Sequence, residues 1–88
     1  KSEAVFARWC DANAIDWEYE PYTIRFTDTK TYTPDFWLPE YRYFVEVKGA
    51  WSGSAKKKLR WTREAGFFIA LVPDHLIRKL TRARIANG

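Results

Sequence analysis

Hydrophobic residues recur along this chain with two different periods, and each period predicts a different kind of element. Residues 2–13 repeat with helical spacing, which predicts an amphipathic helix. Residues 17–26 and 31–38 alternate apolar with polar positions, which predicts two strands, with a bend or an edge position at Pro34. Residues 41–48 give the clearest strand pattern in the sequence.

The second half of the chain predicts a helix, a strand and another helix. A helix over residues 54–65 would end at Gly66, because glycine readily adopts the backbone conformation that closes a helix. Residues 67–72 form an unbroken apolar run, typical of a strand buried on both faces. Asp74 can cap a last helix. The order αβββαβα predicts an α/β fold, one domain over residues 1–88 with a mixed sheet flanked by helices.

Composition predicts a small intracellular protein with an aromatic core. Five Trp, five Tyr and six Phe supply large apolar surfaces, yet 88 residues bury little of their surface, so we expect stabilisation by a homodimer. The single Cys10 cannot form an internal disulfide, which favours a cytoplasmic protein with a buried, inert thiol. No run approaches the roughly 20 apolar residues that span a bilayer, so no membrane partner is expected.

Charge is divided unequally along the chain. Residues 1–48 hold six Lys and Arg against nine Asp and Glu, whereas residues 49–88 hold nine against two. This partition suits an enzyme that attracts a polyanion such as DNA and also holds cations at its reaction centre. The predicted second helix carries most of the bases, and the candidate phosphate contacts on it are Lys56, Lys57, Lys58, Arg60 and Arg63. A solvated basic face is the alternative interpretation.

The candidate chemistry lies on two predicted strands. Alternation places Glu46 and Lys48 on one face of an otherwise apolar strand, and Asp35 would lie close to Glu46 if the strands pair as a hairpin. Two carboxylates suit Mg²⁺, with Mn²⁺ as a substitute, and such an ion activates water for attack on a phosphodiester. Lys48 can orient that water or stabilise the transition state, and no organic cofactor is needed. Alternatively, Asp35 shapes a turn and the other two form a solvated pair.

These residues carry a resemblance to a known superfamily. Pro34-Asp35, followed by Glu46-Val47-Lys48, resembles the PD-(D/E)XK nuclease signature. The surrounding sequence over residues 2–72 is similar to the phage endonuclease I family of Holliday-junction resolvases. The segments that carry this similarity are WEYE at 17–20, TYTPDF at 31–36, LP at 38–39, FVEVKG at 44–49, and Trp51.

The resemblance implies a restriction-endonuclease-like fold and a function. Family members cut four-way (Holliday) and branched DNA as homodimers, in a Mg²⁺-dependent hydrolysis that leaves 5′-phosphate and 3′-hydroxyl ends. An intracellular setting, such as a phage-infected or prophage-carrying bacterium, is implied as well. Position by position, it implies Asp35, Glu46 and the Val47 carbonyl as metal ligands, Lys48 as the catalytic lysine, and Glu3 as the acid that completes a two-metal site. Glu3 could instead only complement the helix N-terminus.

Two further functions remain open at this point. One is a PD-(D/E)XK nuclease of the transposon-end, mismatch or restriction type, which would act on duplex DNA. The other is a non-catalytic module that keeps the fold and binds DNA without cutting it.

Overall fold

The structure is a computed structural model that describes residues 2–48 and 53–80, except for the side chains of Lys48, Asp74, Arg78 and Leu80. Three helices and six strands make up this part of the chain. In chain order they are α1 (Ser2–Ala12), β1 (Glu18–Tyr19), β2 (Ile24–Arg25), β3 (Thr31–Tyr32), β4 (Phe36–Leu38), β5 (Tyr43–Lys48), α2 (Gly53–Glu64), β6 (Ile69–Pro73) and α3 (Asp74–Leu80).

Four of the strands form a mixed sheet in the order β1-β4-β5-β6. The β1–β4 and β4–β5 pairs are antiparallel, whereas β5 and β6 are parallel and are joined through α2. A parallel pair requires such a crossover connection, since its two strands run in the same direction. The remaining strands, β2 and β3, form a separate antiparallel hairpin. The predicted α/β class with a mixed sheet and helices is therefore confirmed.

Both faces of the sheet are covered. Helices α1 and α3 pack on one face, where the buried cluster contains Phe6, Cys10, Ile15, Phe36, Val45, Val47 and Ile77. Helix α2 and the β2–β3 hairpin cover the other face, where the buried cluster contains Ile24, Tyr32, Phe44, Leu59 and Ile69. Side chains alternate along β5, so Val45 and Val47 point to the first face and Phe44 to the second. Glu46 thus has its side chain on the α2 side.

The prediction of one continuous strand over residues 17–26 and another over 31–38 is wrong. Each region contains two short strands, one in the mixed sheet and one in the hairpin, so the order of elements is αβββββαβα. Glu20 has a left-handed backbone with φ of 48°, and Pro21 follows it and lacks an N–H, which ends β1. The bend predicted at Pro34 is present, since β3 ends before it and β4 begins after it.

The later elements differ from prediction mainly at their ends. Helix α2 ends before Gly66, whose φ of +98° is the conformation expected after a helix C-terminus. Strand β6 begins at Ile69 rather than at residue 67, and the rings of Phe67 and Phe68 are 42% and 65% exposed. The prediction of a strand buried on both faces is therefore wrong, because the apolar run already begins in the turn after α2 and within β6 only Ile69 is fully buried.

The thiol of Cys10 lies beneath α1 in the first cluster, with no exposed surface. Burial, together with the charge of the neighbouring Asp11, raises the pKa of this thiol to about 11. The predicted buried, inert cysteine is thus confirmed. Among the described helices, none is both long enough and apolar enough to cross a bilayer.

Candidate functional site

Asp35 and Glu46 face each other where β4 and β5 diverge. The last register pair of these strands is Phe36 with Val45, and the two acids occupy the next position on each strand. The backbone N–H of Asp35 donates to Oε1 of Glu46 at 3.3 Å. Both side chains are nearly inaccessible, at 8% and 6% exposed. The proximity expected from the sequence is therefore present, and it occurs at a buried position.

The main chain around Asp35 is anchored on several sides. The preceding Pro34 is fully buried. The carbonyl of Asp35 accepts from the N–H of Glu20 at 2.8 Å, which ties it to the end of β1. Its side-chain Oδ2 accepts from the N–H of Val47 at 2.9 Å, taking a β5 donor that lies beyond the last register pair with β4. These bonds fix the orientation of the carboxyl group relative to β5.

Glu3 brings a third carboxyl group to the same place. It lies in the first turn of α1, and its Oε1 accepts a hydrogen bond from the hydroxyl of Tyr19 at 2.8 Å. This bond raises the pKa of Tyr19 to about 12. The carboxyl of Glu3 also lies close enough to that of Asp35 to raise its pKa. A role confined to the helix N-terminus would not require these contacts with β1 and with the residue that precedes β4.

The ionised form of the Asp35 carboxyl is disfavoured in the folded protein. Burial raises its pKa to about 7, the negative charges of Glu46 and Glu3 and the hydrogen bond to Glu3 add to that rise, and the N–H of Val47 partly opposes it. A carboxyl with such a pKa is half protonated near neutral pH. The site therefore favours any cation that would offset the repulsion among these acids.

Tyr32 supports Glu46 through a contact between residues that lie 14 positions apart in the chain. Its hydroxyl donates to Oε1 of Glu46 at 2.5 Å, from a ring that is 8% exposed. Burial, this hydrogen bond and the charges of Glu46 and Asp35 all raise the pKa of Tyr32, so the hydroxyl stays protonated and remains a donor. The alternation of β3, with Thr31 exposed and Tyr32 buried, was the only available signal.

Replacing Tyr32 with Phe tests whether this hydroxyl holds Glu46 in place. We expect the free energy of unfolding at neutral pH to fall by about 1–2 kcal/mol, because a buried charged acceptor loses a donor while the ring keeps its packing. Urea denaturation measures the change. Tyr41, which is 59% exposed, provides the control Tyr41→Phe with an expected change near zero. Equal stability of the two variants would show that the hydroxyl does not hold Glu46.

The residues present suit a divalent cation, although they do not form a closed cage. Among the described residues, no group of three or more His, Cys, Asp or Glu side chains is arranged so that it could hold a metal ion. Mg²⁺ does not need such a cage, since it is usually held by one or two carboxylates, several waters and substrate phosphates. The paired carboxylates of Asp35 and Glu46, with the raised pKa of Asp35, provide hard oxygen ligands whose repulsion a cation would relieve.

Part of the sequence motif lies outside the described residues. The backbone of Lys48 ends β5 and pairs with Pro73 of β6, but its side chain is not described. The predicted position of its ammonium group beside Glu46 therefore stays a prediction. Gly49 and Trp51 also lie outside the described part of the chain. Val47 is described, and its backbone is joined to the Asp35 carboxyl through the N–H.

The five predicted DNA contacts of α2 fall into different positions. Lys56, Arg60 and Arg63 line one open groove of about 400 Å³ on the helix surface. Arg63 also donates from Nη2 to the carbonyl of Ile69 at 3.2 Å, which ties α2 to the start of β6. Lys57 is exposed. Lys58 is half-buried and instead lines a cavity that Glu46 also lines. The helix therefore presents one lysine to the acids and the other bases to solvent.

Comparison of the chain with protein-family models, with curated proteins and with solved structures finds no match.

Proposed function

We propose that this chain is a metal-dependent DNA endonuclease with a restriction-endonuclease-like fold, and that it hydrolyses phosphodiester bonds in branched or four-way junction DNA. The observation that carries the proposal is the buried pairing of Asp35 with Glu46, joined by Glu3 and placed beside a basic helix. The charges of Glu46 and Glu3 raise the pKa of the buried Asp35, and a bound cation would relieve this repulsion and supply the Lewis acid for phosphodiester hydrolysis.

Asp35 and Glu46 would hold the metal ion, with the Val47 carbonyl and Glu3 as further ligands. A bound Mg²⁺, or Mn²⁺ in its place, would polarise the phosphate and lower the pKa of a water molecule. The protein fixes the two principal carboxyls through the backbone bonds of Asp35 and the hydroxyl of Tyr32. Preorganised ligands of this kind avoid the cost of reorientation during the reaction.

Lys48 would act on the reacting phosphate itself. Its ammonium would orient the attacking water or stabilise the charge that develops on the phosphate oxygens. Because β5 carries Glu46 and Lys48 two residues apart, alternation predicts that both side chains face the same substrate. The choice of branched DNA and of a homodimer rests on the resemblance to the phage endonuclease I family.

The charge distribution favours a nucleic-acid substrate. Helix α2 follows β5 in the chain and exposes Lys56, Lys57, Arg60 and Arg63, while its Lys58 lines the cavity that Glu46 also lines. Lys and Arg contacts to phosphate supply affinity and position the duplex without reading its sequence. A polyanion is thus attracted to a surface where three carboxyls alone would repel it.

A cleavage assay tests the proposal directly. The purified chain is incubated with an end-labelled four-way junction and with a linear duplex of the same sequence, each with Mg²⁺ and with EDTA. We expect cuts near the branch point with Mg²⁺ and none with EDTA, and product ends with a 5′-phosphate and a 3′-hydroxyl that ligase can rejoin. Size-exclusion chromatography with light scattering measures the expected homodimer.

Other outcomes would identify the alternatives. Cleavage of the duplex at least as fast as of the junction would favour a nuclease of the transposon-end, mismatch or restriction type. DNA binding without cleavage at any Mg²⁺ or Mn²⁺ concentration would contradict the enzyme proposal and favour a DNA-binding module.

A further inference from the structure

A cavity of about 270 Å³ lies between the β2–β3 hairpin, the sheet and the first turns of α2. Its polar walls include Tyr32, Thr33, Glu46, Ser54 and Lys58. Because Glu46 forms one wall, the cavity borders on the candidate site through this acid. The described cationic side chain that lines it is that of Lys58, and the other bases of α2 either line a separate groove or are exposed.

Lys58 is held at this wall by an aromatic ring. Its Nζ lies 5.7 Å from the centre of the Tyr32 ring, within the range of a cation–π interaction. The hydroxyl of that same ring donates to Glu46 at 2.5 Å. The ring of Tyr32 therefore contacts the ammonium of Lys58, and its hydroxyl contacts the carboxylate of Glu46. All three residues line the cavity. The contact also restricts the lysine side chain, so less conformational freedom is lost when it binds a ligand.

The helical periodicity of α2 explains why Lys58 is half-buried while the neighbouring bases are exposed. The buried residues of this helix are Ala55, Leu59 and Thr62, and position 58 falls on the same stripe with the spacing i, i+3, i+4 and i+7. A cation on the inner stripe of a helix is costly unless it has a partner. Lys57 and Arg60 lie on either side of this stripe and are exposed.

We propose that Lys58 binds the phosphate group that is cut, within this cavity, while the exposed bases of α2 bind the flanking DNA backbone. The inference depends on the proposed nuclease function. A phosphate diester in the cavity would lie between the ammonium of Lys58 and the acids around Glu46. The lysine attracts the charge of the phosphate, and the hydroxyl of Ser54 offers a hydrogen-bond donor to its oxygens. The hydroxyl of Thr33 lies 2.7 Å from that of Thr23, and it can donate to the phosphate when it accepts from Thr23.

Single-turnover cleavage at saturating DNA tests the first consequence. Lys58→Gln is expected to lower the rate constant roughly 10- to 100-fold, since a charged donor to the reacting phosphate is removed. Lys58→Arg keeps the charge and is expected to retain most of the rate, which excludes a folding defect as the cause. Lys79, an exposed lysine of α3, provides the control Lys79→Gln with an unchanged rate.

Binding to a modified DNA tests the second consequence. A neutral methylphosphonate replaces the phosphate that the wild-type chain cuts, and affinities are measured with Ca²⁺ where the DNA stays intact. Lys58→Gln should weaken binding of the charged DNA about fivefold or more and of the methylphosphonate DNA less than about twofold, because the variant and the modification remove the same contact. Lys57→Gln should weaken both DNAs equally.

The outcomes separate the two proposals. If the wild-type chain cuts DNA while Lys58→Gln keeps the wild-type rate and weakens both DNAs equally, the inference is wrong and the nuclease proposal stands. If the folded wild-type chain cuts no DNA, the nuclease proposal fails and the assignment of Lys58 fails with it.

Discussion

Replacing Asp35 with Asn is expected to abolish DNA cleavage and, in the same protein, to increase the free energy of unfolding. The loss of activity should reach a factor of about 10³ or more, because a charged metal ligand contributes several kcal/mol to the transition state. Single-turnover cleavage with Mg²⁺ measures it. DNA binding should survive, since the substitution removes a negative charge from a surface that faces phosphate.

The gain in stability follows from the pKa of Asp35, which is about 7 in the folded chain and near 3.8 when exposed. Above pH 7 the folded state carries a buried charge that it disfavours. Asn keeps an oxygen for the N–H of Val47 and can donate its amide to Glu3, so the gain should be about 1–3 kcal/mol. Urea denaturation in EDTA at pH 8 provides the measurement.

The pH dependence has a definite sign. Between pH 4 and 7 the folded wild-type chain binds more protons at Asp35 than the unfolded chain does, so this group makes stability fall as pH rises. The difference in unfolding free energy between Asp35→Asn and wild type should therefore grow from pH 4 to 7 and be constant above. Asp16 is exposed, and Asp16→Asn should show no such trend. A variant less stable than wild type at pH 8, or one that still cuts DNA, would contradict this account of the site.

Replacing Lys48 with Met should lower the single-turnover rate roughly 10²- to 10⁴-fold, the range expected when a group that handles the reacting water or phosphate is lost. Methionine has a similar length and keeps the apolar part of the chain, so the variant should fold. Binding of the junction should weaken no more than about tenfold, as for the loss of one phosphate contact.

Lys30→Met, in the turn between β2 and β3, serves as the control for removal of an exposed lysine and should cut at the wild-type rate. Wild-type cleavage by Lys48→Met would mean that another amine acts on the phosphate. Lys58 would then be the first candidate, because it lines the cavity beside Glu46.

The sequence could predict the two acids and their strands because both depend on local patterns. Alternation over residues 41–48 sets which side chains share a face of β5, and the spacing from Asp35 to Glu46 suits a hairpin. Alternation continues on both sides of Glu20 and hides the break of the first predicted strand, although Pro21 is a signal for it. Its left-handed backbone and the proline after it redirect the chain.

Contacts between distant elements were the part that local patterns could not supply. Tyr19 and Tyr32 hold Glu3 and Glu46, and each contact joins residues 14 or more positions apart. Lys58 is a different case, because its position on the apolar stripe of α2 was present in the sequence. Charge alone places the five basic residues of α2 in one group. The helical periodicity separates Lys58 from the other four, because it lies on the buried stripe of the helix.

The burial of Cys10 has a practical consequence. Its thiol is covered by α1, the same helix that carries Glu3, and a thiol reagent can reach it only when that helix lifts from the sheet. Alkylation kinetics on the unaltered chain would therefore time the opening events that also withdraw Glu3 from Asp35. The alkylation rate of Cys10 would thus report how often Glu3 separates from Asp35.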